Sequence, residues 1–84
     1  MIKIVYFASI REALNLADEM IELPDTVTTT GQLSSWLQQQ RGDQWQSVLS
    51  NSSVLVAVNQ EMVNSAHVIV DGDEVAFFPP VTGG

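Results

Sequence analysis

Eighty-four residues, 45% hydrophobic and 15% charged, make one domain with one modest core, and the chain contains no repeat or low-complexity tract. Ten carboxylate side chains against three basic ones give a formal net charge of -7; this lacks the Lys/Arg clusters that a phosphate backbone requires, so nucleic acid is excluded as a partner and a basic protein suits better. With no cysteine there is no disulfide, no thiol nucleophile and no cysteine-ligated metal.

The elements follow in order. IKIVYFA (2–8) is β-branched and aromatic and reads as a strand. The apolar start loosely mimics a signal peptide, but Arg11-Glu12 interrupts it and no small-x-small cleavage site follows. No window approaches the ~20 apolar residues of a membrane span, so no membrane contact and a cytoplasmic location are expected. Ser9-x-x-Glu12 has the form of a capping box, with Ile10, Ala13 and Leu14 at helical spacing and Asn15 able to end the turn in the left-handed conformation. DEMIEL (18–23) is a second strand, stopped by Pro24-Asp25. Thr28 or Thr29 caps the main helix, with Thr29-x-x-Gln32 as a capping box, Leu33, Trp36 and Leu37 as its buried stripe, and Arg41-Gly42 at its end.

Trp45, Val48 and Leu49 indicate another short helical turn, broken by Asn51-Ser52-Ser53. VLVAV (54–58) is a strand, Asn59-Gln60 a tight turn into Glu61-Met62-Val63, and Asp71-Gly72 a further turn. Glu74 to Phe78 is the last strand, ended by Pro79-Pro80, since proline cannot donate to a ladder. The order ββαβ(β)β, with one long helix across one face of a small mixed sheet and the first and last strands central and parallel, is the α+β arrangement called β-grasp, or ubiquitin-like. A ferredoxin-like sandwich would need two long helices.

The body offers no catalytic constellation. His67 is the single histidine, more often a surface residue than a ligand. Zinc needs three or four convergent ligands, and a phosphate loop needs glycines that are absent; no metal site is expected. Asp71, Asp73 and Glu74 lie close together but read as a solvated turn. Trp36 and Trp45 read as core or rim.

What remains is the ending FFPPVTGG, Phe77 to Gly84. Fraying is the bland reading of such an end. The chemical reading is that an α-carboxylate, with a pKa of about 3.3–3.7, reacts only after activation, for instance as an anhydride with AMP. Glycine keeps such a tail slim and its carbonyl unhindered. Pro79-Pro80 would launch it as a stiff stalk, and from Pro80 to Gly84 an extended chain reaches about 14–16 Å. Strand parity adds a surface. Glu74, Ala76 and Phe78 share a face; so do Lys3, Val5 and Phe7, and Ser53, Leu55 and Ala57. The charged members mark these as the faces turned from the core. Phe77 is therefore expected inside, and Phe7, Leu55 and Phe78, with Val5 and Ala57, outside as a partner site.

IKIVYFASIRE at the start and DGDEVAFFPPVTGG at the end, with the β-grasp order between them, resemble the small, sulfur-carrying subunits of molybdopterin synthase, the MoaD family, over essentially the whole chain. Asn15-Leu16 stands where a glycine is expected in that family. The resemblance implies a β-grasp domain over 1–78 and an extended tail over 79–84. It implies that a MoeB-like activating enzyme adenylates Gly84 with ATP and that a sulfur donor converts the adenylate to a thiocarboxylate. The tail, Pro79, Pro80, Val81, Thr82, Gly83 and Gly84, would then enter the active site of a MoaE-like large subunit and give its sulfur to cyclic pyranopterin monophosphate. It implies docking by Phe78, Phe7, Leu55 and Val5, no cofactor held by the chain itself, and a heterotetramer of two small and two large subunits. Two other readings stay open: the thiamine-pathway sulfur carrier, with the same tail chemistry, and a ubiquitin-like modifier or plain interaction module.

Overall fold

Residues 1–51 and 53–80 are described by the computed structural model. Alternation sets the first strand: β1 (Ile2–Tyr6) buries Ile2, Ile4 and Tyr6 and turns Lys3 outward. The chain continues through α1 (Ala8–Leu14), β2 (Asp18–Ile21), α2 (Thr30–Arg41), α3 (Asp43–Leu49), β3 (Leu55–Val58), β4 (Glu61–Val63) and β5 (Glu74–Phe78). The strands form a five-stranded mixed sheet in the order β2-β1-β5-β3-β4, with β1 and β5 parallel and the other neighbours antiparallel. The expected β-grasp architecture is present, with the first and last strands inside the sheet. Leu33 and Leu37 of α2 pack with Ile2, Ile4, Tyr6, Val75 and Phe77 in one core that also takes in Ile10 and Leu14 of α1 and Trp45 and Leu49 of α3. Trp36, expected in the buried stripe, is half-buried and only flanks that core.

The ends of the elements follow local chemistry. Thr29 caps α2: its hydroxyl accepts from the Gln32 amide, and the Gln32 side chain accepts from the Thr29 amide. Asn15, at φ 55°, ends α1 in the left-handed conformation, so it fills the backbone role expected of glycine. Asn59 and Gln60, at φ 51° and 70°, make the β3–β4 turn, in keeping with a primed hairpin turn. The Ser9 cap does not form. Ala8 adopts φ 51°, the chain turns there, and α1 begins two residues early with Phe7 at its N-cap and no side-chain cap.

The connection from β4 to β5 crosses the start of α2. The Thr30 amide donates to the His67 carbonyl (3.0 Å), the Gly31 amide to Ser65 (2.9 Å), and the buried Thr30 hydroxyl to Asn64 (2.8 Å). First-turn helix donors have no partner inside the helix, and these carbonyls supply one. The approach is close enough that a Cβ on Gly31 would sit 3.0 Å from both the Ser65 Cβ and its carbonyl oxygen. Gly31→Ala is therefore expected to destabilise the fold despite alanine's better helix propensity of about 1 kcal/mol, because overpacking costs about 1–3 kcal/mol. A melting temperature equal to or above that of the parent would show that the 64–68 segment yields freely.

A second knot ties β1, β2, α2 and α3. The buried Tyr6 hydroxyl donates to Glu19 (2.8 Å), and Arg41 donates to both oxygens of the same carboxylate (2.7 and 3.1 Å). The Arg41 guanidinium lies 4.8 Å from the Trp45 ring centroid, and Trp45 meets Tyr6 edge to face at 5.2 Å. Burial first, then the hydrogen bond to Glu19, pushes the Tyr6 phenol far above its ordinary value. The neutral phenol is thus favoured by the fold. Its contribution is complete below the unfolded pKa of about 10 and is lost as pH rises above that. Tyr6 is the sole tyrosine, so alkaline titration should show phenolate absorbance only together with loss of ellipticity. Ionisation near pH 10 in a chain that remains folded would contradict the burial argument.

Candidate functional site

Parity along β5 separates its side chains: Val75 and Phe77 enter the core, while Phe78, half-buried, faces the other side. The register then brings its neighbours together. Val5 stands opposite Ala76, and Leu55 opposite Phe78. One bond beyond β1, the Phe7 amide donates to the Phe77 carbonyl (3.0 Å), which carries Phe7 up beside Phe78. The two rings meet edge to face, centroids 6.2 Å apart at 82°. The left-handed turn at Ala8 leads the chain away immediately afterwards, leaving Phe7 46% exposed. Phe7, Phe78, Leu55 and Val5 therefore lie on the sheet face away from α2, as parity requires.

Ala57 does not join them as a contact. It is 7% exposed, and its cross-strand partner Ala76 is 9% exposed: two small side chains forming a floor between taller neighbours. Two methionines were missed. Met62 pairs with Ala57, and Met20 pairs with Lys3, so both belong to this face, and both are more than half exposed. The hairpin register of the Asn59-Gln60 turn could have placed Met62 from sequence; Met20 needed only the parity of β2.

The patch sits at the end of the sheet where β5 delivers its tail. Pro79 is half-buried and Pro80 exposed, in a cleft with Ser9 and Ile10 of α1 and Ser47 and Val48 of α3. Val81, Thr82, Gly83 and Gly84 lie outside the described residues, so the expected tail is represented only by its first two positions.

Elsewhere the described residues hold little that could do chemistry. A cleft between α2, α3 and β3 is lined by hydroxyls, amides and apolar groups such as Ser34, Gln38, Asn51 and Val56, with no titratable side chain. No group of three or more His, Cys, Asp or Glu is arranged to hold a metal ion among the described residues. Asp73 is instead a structural acceptor, taking the Asn59 side-chain amide (3.0 Å) and the Val70 backbone amide (2.9 Å). His67 is exposed and enters the fold through its backbone. No described helix is long and apolar enough to cross a membrane.

A ubiquitin-like β-grasp domain with an apolar patch at the root of its C-terminal segment is the class that fold and surface define. The chain belongs to the ThiS family, whose model matches residues 4–84. It is 42% identical over 84 residues to the molybdopterin synthase sulfur carrier subunit of Escherichia coli (strain K12), covering 100% of both chains. Among solved structures, a Pyrococcus furiosus protein assigned as molybdopterin converting factor, subunit 1, superposes with a TM-score of 0.74 at 27% identity, over 95% of this chain and 97% of that one. A chain from the complex of subunits 1 and 2 of the molybdopterin-converting factor of Helicobacter pylori 26695 has a TM-score of 0.65 at 21% identity, over 99% of this chain and 97% of that one. At that identity the likeness is one of fold.

Proposed function

We propose that the chain is a sulfur carrier, the small subunit of a molybdopterin synthase, and that Gly84 is the group it loads and unloads. The observation that carries this reading is the Phe7–Phe78 pair, an exposed aromatic contact at the point where β5 hands over to Pro79-Pro80. It gives a partner something to grip beside the reacting end. The E. coli relative, similar along its entire length, supports the same reading and favours the molybdopterin route over the thiamine one.

Each part of the chain then has one task. Phe78, Phe7, Leu55 and Val5 dock against a MoaE-like large subunit or a MoeB-like activating enzyme. Pro79 and Pro80 fix φ and hold the next residues off the domain. Val81 and Thr82 span the distance, and Gly83 and Gly84 pass a narrow entrance because they carry no Cβ. In the activating enzyme a Gly84 carboxylate oxygen attacks the α-phosphorus of ATP and pyrophosphate leaves. Hydrosulfide released by the donor then attacks the acyl carbon, the bond to the AMP oxygen breaks, and AMP and the proton leave, giving the thiocarboxylate. In the large subunit that sulfur passes to cyclic pyranopterin monophosphate. ATP and the catalytic side chains belong to the partners; the chain binds no cofactor of its own, and the cycle runs in the cytoplasm in a heterotetramer.

Two measurements test this. Phe78→Ala should weaken binding to the large subunit by about 2 kcal/mol, roughly thirtyfold, as truncation of an interface aromatic does. The domain should stay folded, and unchanged affinity for both partners would remove Phe78 from the site. Deleting Gly84, or adding one residue after it, should abolish molybdopterin formation from the pyranopterin precursor with no shift in melting temperature. The reacting atoms must come within about 3–3.5 Å, and one extended residue moves the carboxyl carbon by about 3.3 Å. Near-normal product from the deletion variant would make the tail an ordinary loose end. The intact mass of the protein from cells separates the other readings. Exchange of one oxygen for sulfur marks a carrier, and a protein-sized increment marks a modifier.

A further inference from the structure

Two of the three basic side chains in these 84 residues, Arg11 and Arg41, are guanidinium groups, which stay protonated and do not accept acyl groups. Lys3 is the single lysine. Because β1 and β5 run parallel, Lys3 stands beside Glu74, at the other end of β5 from Phe78. Met1 lies one step further, its ammonium paired with Asp71. The amines are therefore gathered at the end of the sheet opposite the tail.

The separation is large enough to matter. From Glu74 to Pro80 an extended chain covers about 20 Å. Residues 81–84 span at most about 14 Å, and a lysine side chain adds about 6 Å. Lys3 and the Gly84 carbonyl meet only if both stretch fully back across the apolar face. Lys3 lies on that same face, so a partner docked there blocks the path.

We infer that this placement of amines is a protective device: it reserves the activated Gly84 acyl group for sulfur and keeps the chain from acylating itself. The inference rests on the proposed activation of Gly84. The reaction avoided is aminolysis. An amine nitrogen attacks the Gly84 carbonyl carbon, the bond from that carbon to AMP oxygen (or to a thioester sulfur) breaks, and the leaving group departs with the electron pair. The nitrogen loses one proton, an amide forms, and no oxidant or reductant is needed. An amide so formed would remove the carrier from the cycle.

The test moves an amine to the root of the tail. Ser9 and Ser47 are exposed and share the cleft with Pro79 and Pro80. Full-length protein is prepared as a C-terminal thioester of a small thiol, in the parent, Lys3→Arg, Ser9→Lys and Ser47→Lys forms, with Ser9→Arg and Ser47→Arg as charge controls. Thermal melts check that each is folded. Each is then held in mildly alkaline buffer and followed by intact mass and peptide mapping. The parent, Lys3→Arg and both arginine variants should hydrolyse to the free acid. Both new lysines should form an internal amide, seen as loss of the thiol without gain of water. A tethered amine has an effective concentration near millimolar, so at micromolar protein the amide should exceed that of the parent by roughly a thousandfold. Amide on Lys3 or Met1 of the parent at the level of the lysine variants would overturn the inference, as would hydrolysis alone in both lysine variants. No activating enzyme takes part, so failure of an activating enzyme and ATP to adenylate Gly84 would defeat the carrier reading without altering this result.

Discussion

The parallel pairing of β1 with β5 is the constraint from which the rest of the molecule follows. It joins the two ends of the sequence in the middle of the sheet and sets their register, Lys3 with Glu74 through Tyr6 with Phe77. That register puts Tyr6 and Phe77 together in the core, near-parallel with centroids 6.0 Å apart, and carries Phe7 beside Phe78 on the opposite face. A slip of one residue would turn over the strand that moved, burying Lys3 and exposing Ile4 if it were β1, or burying Glu74 and exposing Phe77 if it were β5. The same parallel sense places the start of the chain and the exit of the tail at opposite ends of the sheet. Patch position, tail direction and the remoteness of Lys3 are thus consequences of a single pairing.

The two faces of the sheet are held to different standards. On the helical side, aromatic packing, the Tyr6–Glu19–Arg41 bonds and the Thr30–Asn64 bond leave no buried side-chain polar atom without a partner among the described residues. A small domain has little stability to spare, and each unpaired buried polar group would cost about 1–3 kcal/mol. On the open side, no helix among the described residues covers the sheet, and large apolar side chains remain partly in water. The cost is limited by the alanine floor, since Ala57 and Ala76 add almost no exposed apolar area between the larger residues. Nothing on the helical side requires this face to stay open; in the carrier reading its composition answers to a partner.

Much of this was legible because it rests on short-range rules. Charged residues at alternate positions in β1 and β5 told the faces apart, and the Thr29–Gln32 box, Asn15 and Asn59-Gln60 each announced a turn through its own backbone chemistry. The failures have a different origin. Ser9-x-x-Glu12 carried a sound capping pattern, but β1 must end where its pairing with β5 ends, and Ala8 makes the turn first, at φ 51°. Trp36 matched the helical period yet fell at the margin of a core already filled by Leu33, Leu37 and Trp45. The clasp of residues 64–68 on the start of α2 was invisible, because a carbonyl that accepts from a residue 34 positions away leaves no local pattern. Most of the candidate site was within reach of parity; Met20 and Met62 were overlooked because apolar residues on outer strands read as ordinary surface.

The size of the patch bears on how such a domain is held by its partners. A stable interface buries about 800 Å² on each side, whereas the largest apolar patch on a typical monomer is about 300–600 Å². Phe7, Phe78, Leu55 and Val5, with Met20 and Met62 beyond them, are six side chains, whereas a standard interface takes about 20–30 residues a side. In the carrier reading such a patch orients the domain but is short of the residues a stable interface takes, and the chain from Pro79 is its continuous extension at that edge. In the carrier reading the tail is then a binding element as well as a reactive one, and binding energy spent on the tail also sets the position of its carbonyl carbon. A carrier must be released after each transfer, and a modest patch combined with a slender tail keeps dissociation fast where a broad apolar interface would not. In that reading the chain contributes position, and its partners contribute reactivity.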